Sequence, residues 1–66
     1  MKNSIKVERA IHEFTQEQLA QRLGVSRQTI HAIEANKYVP STLLALKLAR
    51  LFNKQVGEIF RLDEGD

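Results

Sequence analysis

Apolar residues recur at the spacing of an α-helix along most of this 66-residue chain. In the first half, three groups of them predict helices from about residue 6 to 13, over 16–23 and over 27–35. The positions expected to face inward are Val7, Ala10, Ile11 and Phe14 in the first helix, Leu19, Ala20 and Leu23 in the second, and Ile30 and Ile33 in the third. In the second half, the pattern predicts a fourth helix over 42–52 and a short fifth helix around 55–60.

Polar residues at the expected boundaries agree with these helices. Thr15 followed by Gln18 matches a capping box at the start of the second helix. Gly24 can end that helix, because a residue without Cβ adopts a positive φ at no steric penalty. Ser26 and Ser41 are suited to cap the third and fourth helices, and the proline in the connecting stretch NKYVPS prevents helix continuation.

The ends of the chain favour one further element, a two-stranded antiparallel sheet formed by the termini. Ile5 and Leu62 are the apolar residues expected in its two strands. The predicted fold class is therefore all-α, with five helices in a single domain of residues 1–66. The short two-stranded sheet of the termini would be added to these helices.

The second and third helices are joined only by the turn LGVS, which predicts a helix-turn-helix over 16–35. Such a connection sets the two helices at a sharp angle, so that the later helix protrudes. Its outward residues are Arg27, Gln28, Thr29 and His31. A solvated helix face usually mixes Glu and Lys, whereas this face offers a guanidinium, an amide and a hydroxyl. These groups are suited to reading a pattern of hydrogen-bond donors and acceptors.

Charge is distributed unevenly along the chain. The net charge is +2, but three of the eight acidic residues lie in the final DEGD, and residues 1–62 carry ten Lys and Arg against five Asp and Glu. A body with a net charge of +5 favours a polyanionic partner. Many small soluble proteins are mildly basic, so charge alone is weak support for nucleic-acid binding.

Several classes of protein are disfavoured by the sequence. The chain has no cysteine, which excludes disulfides and cysteine-based zinc sites and fits a reduced, cytoplasmic setting. The N-terminus lacks the apolar stretch of a signal peptide, and the run 43–52 is interrupted by Lys47 and Arg50 and too short to span a bilayer.

Catalytic and metal chemistry are also not expected. His12 beside Glu13, and His31 near Glu34, offer at most two ligands on each helix, whereas a zinc site needs three or four. The sequence contains no glycine-rich phosphate loop, nucleophile elbow or paired carboxylates. We therefore predict no cofactor, no metal and no enzymatic activity.

The segment TQEQLAQRLGVSRQTIHAIEANKYVPS resembles the helix-turn-helix of the phage-repressor and Cro-like (Xre) family of DNA-binding regulators. The matching positions are Gln16, Leu19, Ala20, Gly24, Val25, Ser26, Ile30, Ile33, Glu34 and Pro40. The resemblance implies a lambda-repressor-like fold, and RQTI and the terminal GEIF are similar to short stand-alone homodimeric regulators. One departure is Ala35-Asn36, where many relatives have a glycine; asparagine tolerates the left-handed conformation and can still end the helix.

The resemblance implies that the helix over 27–35 enters the major groove of double-stranded DNA, N-terminus first. Arg27 would bond to guanine and Gln28 to adenine, while Thr29 and Ala32 would meet thymine methyl groups. His31 would donate to a base or a phosphate. The alternative for each of these residues is a role on a solvated helix face.

Further residues carry positioning roles that the resemblance implies. The expected phosphate-binding residues are Gln16, Ser26, Asn36, Lys37 and Tyr38, although for Tyr38 a packing role is equally open. Arg9 and Glu34 align with a family pair that forms a salt bridge between the first and third helices.

Apolar residues in the last third exceed what one small core needs, which predicts a two-fold homodimer through a region of about 51–62. The residues expected at its interface are Leu51, Val56, Ile59 and Phe60. The alternative is that a small domain uses both C-terminal helices in one core.

Together these features predict a sequence-specific homodimeric transcriptional regulator, acting as a repressor on a palindromic operator and located in the cytoplasm on the nucleoid. Two alternatives share the fold. One is an antitoxin or restriction-controller type of regulator, which answers to a protein partner or neighbouring gene. The other is a protein- or RNA-interaction domain, which would bind without discriminating base pairs.

Overall fold

The computed structural model describes residues 1–66 and confirms the five-helix, all-α class. The helices are α1 (Ile5–Ile11), α2 (Gln16–Leu23), α3 (Arg27–Glu34), α4 (Thr42–Phe52) and α5 (Val56–Ile59). Two short strands, β1 (Lys2–Asn3) and β2 (Phe60–Arg61), pair antiparallel with Asn3 opposite Phe60. The predicted pairing of the termini is thus confirmed, but Ile5 and Leu62 are not in the strands. Ile5 opens α1, and Leu62 follows β2.

The predicted N-caps fix the starts of α2, α3 and α4. Thr15 and Gln18 form a complete capping box: the hydroxyl accepts from the Gln18 backbone N–H at 3.0 Å, and the Gln18 Oε1 accepts from the Thr15 N–H at 2.9 Å. The hydroxyls of Ser26 and Ser41 each accept a backbone N–H three residues later at 3.1 Å. Local sequence therefore determines where these helices begin.

Four helices end in the same way, on a residue in the left-handed conformation. Glu13, Gly24, Asn36 and Asn53 have φ of 58°, 73°, 60° and 55°, respectively. In each case the following N–H donates to a carbonyl five residues back, and the left-handed residue donates three residues back, which is the Schellman pattern. Only one of the four is a glycine, so three helix ends carry backbone strain.

A single core of twelve buried apolar residues lies between all five helices. From α2 and α3 it takes the predicted residues: Leu19, Ala20, Leu23, Ile30 and Ile33. Val25, in the turn between these helices, packs against the core from its edge. The buried face of α3 leaves its opposite face toward solvent.

The inner face predicted for the first helix is wrong for Val7, Ala10 and Ile11, and only Phe14, which follows the helix, packs against the core. The helix runs over Ile5–Ile11, not 6–13, and it buries Ile5 and Glu8, while Val7 and Ile11 are 59% and 64% exposed and Ala10 is also exposed. Glu8 is tolerated inside because its Oε2 pairs with Lys54 Nζ at 3.0 Å. Apolar spacing located the helix, but the side that it buries carries Ile5 and the ion-paired Glu8.

The last third of the chain also differs from the expectation. Ile59 is 1% exposed and Phe60 is buried as well, and both belong to the core of their own chain. Ile59 and Phe60 are therefore not excess apolar surface. For these two residues the alternative prediction holds, in which one small core uses both C-terminal helices. Leu51 and Val56 are half-buried against the same core.

The acidic end of the chain folds back onto the N-terminus. The Met1 amine pairs with Asp63 Oδ2 at 2.9 Å and Asp66 Oδ2 at 3.1 Å, and these contacts raise the pKa of the amine. The Asp63 backbone N–H donates to Asp66, and this bond, together with the amine, lowers the pKa of the Asp66 carboxyl. No helix combines the length and apolar character needed to cross a membrane.

Candidate nucleic-acid interface

The exposed face of α3 carries most of the residues predicted to read bases. Arg27, Gln28 and His31 are exposed, whereas Thr29 and Ala32 are half-buried. The Thr29 hydroxyl lies 2.9 Å from that of Ser26, which also caps the helix. One of these hydroxyls donates to the other, so one hydroxyl proton of the pair is left for another acceptor.

The start of α2 lies beside the start of α3. Gln16, Arg27, Gln28 and His31 line one open depression in which no residue is hydrophobic. A neighbouring depression brings Arg9, Thr15, Gln16 and Glu17 next to Arg27. Residues from α1, from the start of α2 and from α3 are therefore gathered into one polar surface around the N-terminal half of α3.

A hydrogen-bonded ion pair holds α3 against α1 and α2. Arg9 Nε donates to Glu34 Oε2 at 2.9 Å and Nη2 donates to Oε1 at 3.1 Å, so the expected salt bridge is present and bidentate. The third guanidinium nitrogen, Nη1, donates to the Phe14 carbonyl at 3.1 Å. With side chains only 17% and 8% exposed, Arg9 and Glu34 form a structural pair and not a free charged surface.

Gln16 joins this network through its amide. Its Nε2 donates to Glu34 Oε1 at 3.2 Å, which ties the first residue of α2 to the last residue of α3. An amide nitrogen carries two N–H groups, so one N–H of Gln16 is left for another acceptor. Gln16 can thus brace α3 and still contact an external oxygen.

A second exposed polar group follows α3. Asn36, Lys37 and Tyr38 are all exposed, and the Lys37 N–H donates to the Ala32 carbonyl at 2.9 Å. Neither Lys37 nor Arg27 takes part in any of the five salt bridges. Two cations at opposite ends of α3 are consequently not neutralised by the protein itself.

One residue in contact with the end of α3, Asn3 in β1, was not predicted from the sequence. Its Nδ2 donates to the Ile33 carbonyl at 2.8 Å and to Asn36 Oδ1 at 3.0 Å. These partners lie 30 and 33 residues away, so no local motif points to them. Only the folded chain reveals that the N-terminal strand contacts the end of α3.

Of the predicted dimer residues, Val56 and Phe60 line an apolar groove, and Phe60 also lies opposite Asn3 in the sheet. The groove is lined by Met1, Val39, Pro40, Thr42, Ala45, Leu46, Val56 and Phe60. Leu46, one of these lining residues, and Leu43 project from α4 with exposures of 55% and 64%. The exposed large apolar side chains in this part of the chain are Val39, Leu43, Leu46 and Leu62, and Ile59 is not among them.

The two histidines have different surroundings. The His12 ring lies 6.2 Å from the Phe14 ring and 5.3 Å from the Phe52 ring, centroid to centroid, while His31 lies in the polar depression. The structure brings no three His, Cys, Asp or Glu side chains together as a group that could hold a metal ion.

Two short capped helices, a glycine at the turn between them and a polar face on the second helix define the helix-turn-helix class of proteins. A helix-turn-helix family model matches residues 5–59, and the chain belongs to this family, of the Cro/C1 type.

Relatives that align over nearly their whole length agree with this membership. The chain is 52% identical to an uncharacterized HTH-type transcriptional regulator of Methanocaldococcus jannaschii, with 100% of both chains covered. It is 47% identical to the uncharacterized HTH-type transcriptional regulator YgzD of Bacillus subtilis, with 97% of each covered. A third uncharacterized regulator of this type, from Archaeoglobus fulgidus, is 50% identical over 97% of this chain and 90% of its own length.

Proposed function

We propose that this protein is a sequence-specific regulator of transcription that binds double-stranded DNA through α3. The observation that carries this proposal is the division of α3 into two faces. Ile30 and Ile33 are buried, whereas Arg27, Gln28 and His31 are exposed around one polar depression. Membership of the helix-turn-helix family and the names of its relatives as transcriptional regulators support the same conclusion.

In the proposed complex, the N-terminal half of α3 lies in the major groove, where each base pair presents a distinct pattern of donors and acceptors. Arg27 donates two hydrogen bonds to guanine O6 and N7, and Gln28 pairs with adenine N6 and N7. The Thr29 methyl group and Ala32 approach thymine methyls. His31, one turn further along, donates to a base or a phosphate.

The DNA backbone is held on both sides of α3. Gln16 and the capped turn at Ser26 contact phosphate at one side, and Asn36, Lys37 and Tyr38 contact it at the other. The free cation at Lys37 and the exposed amides supply suitable donors. Such contacts set the position of the protein and carry no sequence information.

We further propose that the regulator is a homodimer and acts as a repressor by occupying a palindromic operator. Val39 and Leu46 line the apolar groove that also contains Val56, and Leu43 exposes an apolar side chain on the same helix as Leu46. Contiguous exposed apolar surface of this kind usually marks an interface, and a two-fold dimer presents two reading helices to two half-sites. A regulator that acts by occupying DNA needs no catalytic activity and no cofactor, and we propose that it acts in the cytoplasm.

The experiment that tests the function is selection of bound sequences from a pool of randomised duplex DNA. We expect enrichment of a two-fold symmetric site bound at least about 10³-fold more tightly than random duplex at physiological salt. Salt-dependent binding with no preferred sequence would contradict the proposal and favour an interaction domain. A parallel pool of randomised RNA separates a DNA regulator from an RNA-binding domain.

A further inference from the structure

We infer that Asn3 is a positioning residue for DNA: its side chain orients the Asn36 amide so that its N–H groups face the phosphate backbone. This inference rests on the proposed function, because Asn36 is taken to contact phosphate. It concerns a residue in the N-terminal strand, outside the helix-turn-helix and remote from it in sequence.

The orientation of Asn3 is determined by partners whose chemistry is unambiguous. Its Oδ1 accepts from the Ile5 backbone N–H at 3.2 Å, and its Nδ2 donates to the Ile33 carbonyl at 2.8 Å. A backbone N–H can only donate and a carbonyl can only accept, so the two ends of the Asn3 amide cannot be exchanged. Nδ2 of Asn3 therefore points toward Asn36 as a donor.

The orientation of Asn36 follows from that of Asn3. A donor at 3.0 Å requires an acceptor, so Asn36 must turn its Oδ1 toward Asn3. Its Nδ2 then lies on the opposite side of the amide and makes no hydrogen bond within the chain, and the residue is exposed. Two N–H donors of an exposed side chain are thus left without a partner in the chain, and Lys37 with its unpaired cation is the next residue.

Asn36 has a backbone conformation in which glycine would be the residue with the least strain. Its φ of 60° is a conformation that glycine adopts without strain and that other residues adopt at a cost. A glycine here would end α3 equally well but would offer nothing to Asn3 and nothing to DNA. The side chain at position 36 thus makes a contact that a glycine would lack.

Asn3 is itself held in place by the sheet. It lies opposite Phe60 in β1–β2, and the next residue, Ser4, donates its backbone N–H to the Ile59 carbonyl at 2.9 Å. The sheet, Asn3 and Asn36 thus form a continuous series of bonds from the C-terminal part of the core to the end of α3. Asn36 is fixed relative to the whole domain and not only to its own loop.

The test is a double-mutant cycle of Asn3→Ala and Asn36→Gly, measured as affinity for the duplex that the protein selects and for random duplex. Asn3→Ala in the wild-type background should weaken binding to both duplexes by a similar factor, about three- to tenfold. In the Asn36→Gly background it should have almost no effect, because the amide that it orients is absent. An equal loss in both backgrounds would overturn the inference.

Asn53→Gly is the matched control for Asn36→Gly. Asn53 also ends a helix in the left-handed conformation, with φ of 55°, but it lies at the end of α4. The two substitutions relieve the same kind of backbone strain, so both should leave folding intact. Only Asn36→Gly should weaken DNA binding; a similar loss from Asn53→Gly would overturn the inference.

The failure of this inference is distinguishable from failure of the proposed function. If the wild-type protein selects a duplex but Asn3→Ala binds it with unchanged affinity, only the role of Asn3 is wrong. If the wild-type protein selects no duplex, the proposed function fails first. NMR of the DNA-free wild-type protein tests the bond itself, since lack of proximity between the Asn3 and Asn36 side chains would overturn the inference without any variant.

Discussion

Arg27 and Lys37 are two unpaired cations at opposite ends of α3, and their positions predict different roles. Arg27→Ala should cost about 1–3 kcal/mol on the selected duplex and relax the preference at one base pair. Lys37→Ala should instead weaken selected and random duplex by similar factors and lower the salt dependence by about one counterion per subunit. Both substitutions remove one positive charge, so each is the control for the other.

The measurement for this pair is a binding titration of each variant at several salt concentrations. The titrations use the selected duplex, single base-pair variants of it and random duplex. If Arg27→Ala keeps the full base preference of the wild type, α3 is not the helix that reads sequence. Equal behaviour of the two variants would indicate a general electrostatic surface.

Arg9 and Glu34 are predicted to matter for folding more than for DNA. Removing one member of a largely buried ion pair strands the other, so Arg9→Ala should destabilise the fold by about 3 kcal/mol. Arg22→Ala is a suitable control, because Arg22 lies 5.3 Å over the Phe14 ring and forms no salt bridge. Its loss should cost no more than about 1 kcal/mol.

Denaturant unfolding of the single and double variants measures the Arg9–Glu34 interaction. We expect Arg9→Ala and Glu34→Ala together to cost clearly less than the sum of the two single changes. Additive losses would show that the pair does not interact in solution. The hydrogen bond from Gln16 to Glu34 remains when Arg9 is removed. The loss of stability measured for Arg9→Ala is therefore a lower limit for leaving Glu34 without any partner.

At the scale of the elements, the helix ends predict opposite effects of two glycine substitutions. A Cβ at Gly24 would meet no atom within 4 Å, so Gly24→Ala is penalised only by its φ of 73°. The left-handed strain of about 1–2 kcal/mol, less the entropic gain in the unfolded chain, leaves a net destabilisation of about 0.5–1 kcal/mol. Glu13→Gly should stabilise the fold by a similar amount, because Glu13 has φ of 58° and forms no salt bridge.

Thermal or denaturant unfolding of both variants checks the two signs. If Glu13→Gly destabilises the protein, the Glu13 side chain makes a contribution that exceeds its backbone strain. If Gly24→Ala is neutral, the turn between α2 and α3 can adopt another conformation.

Elements whose signals are local were predictable from the sequence. Thr15 and Gln18 are three residues apart and cap each other, so α2 was placed at its observed bounds. The bounds of α4 were likewise predicted, since Ser41 caps it at one end. The candidate DNA-reading face of α3 followed from Ile30 and Ile33, whose spacing assigns the opposite side of the helix to solvent.

Features that depend on distant partners were not predictable in the same way. Val7 and Ile11 have helical spacing, but α1 buries Glu8, whose carboxylate pairs with Lys54 far along the chain. Ile59 and Phe60 looked like excess apolar residues because the sequence does not show how much of the core they fill. Asn3 has no motif around it, and its importance comes from partners that folding brings to it.

At the scale of the whole molecule, the proposed dimer surface on α4 predicts which substitutions separate the protomers. Leu43→Glu should raise the dissociation constant of the dimer at least about tenfold, because it places an unpaired charge in an apolar interface. Val7→Glu, a similar change at a similarly exposed residue on α1, should leave the dimer intact. Ile59→Asp should unfold the protomer, because Ile59 lies in its core.

Sedimentation across micromolar concentrations measures the association state of each variant. A wild-type protein that remains monomeric there contradicts the proposed dimer. If Val7→Glu separates the protomers and Leu43→Glu does not, the interface lies on α1. Circular dichroism identifies which variants are folded.

The two-residue sheet also has a consequence for the order in which the chain folds. Packing between α2 and α3 needs only the short turn between them, whereas β1 and β2 join segments from opposite ends of the sequence. Bringing β1 and β2 together closes a loop of nearly the whole chain, which costs more conformational entropy than closing the short turn between α2 and α3. We therefore expect the sheet to form last and to open first on warming. Because Asn3 lies in that sheet, the end of α3 would lose its support while the pair α2–α3 is still folded, and DNA binding would weaken at temperatures below the unfolding transition.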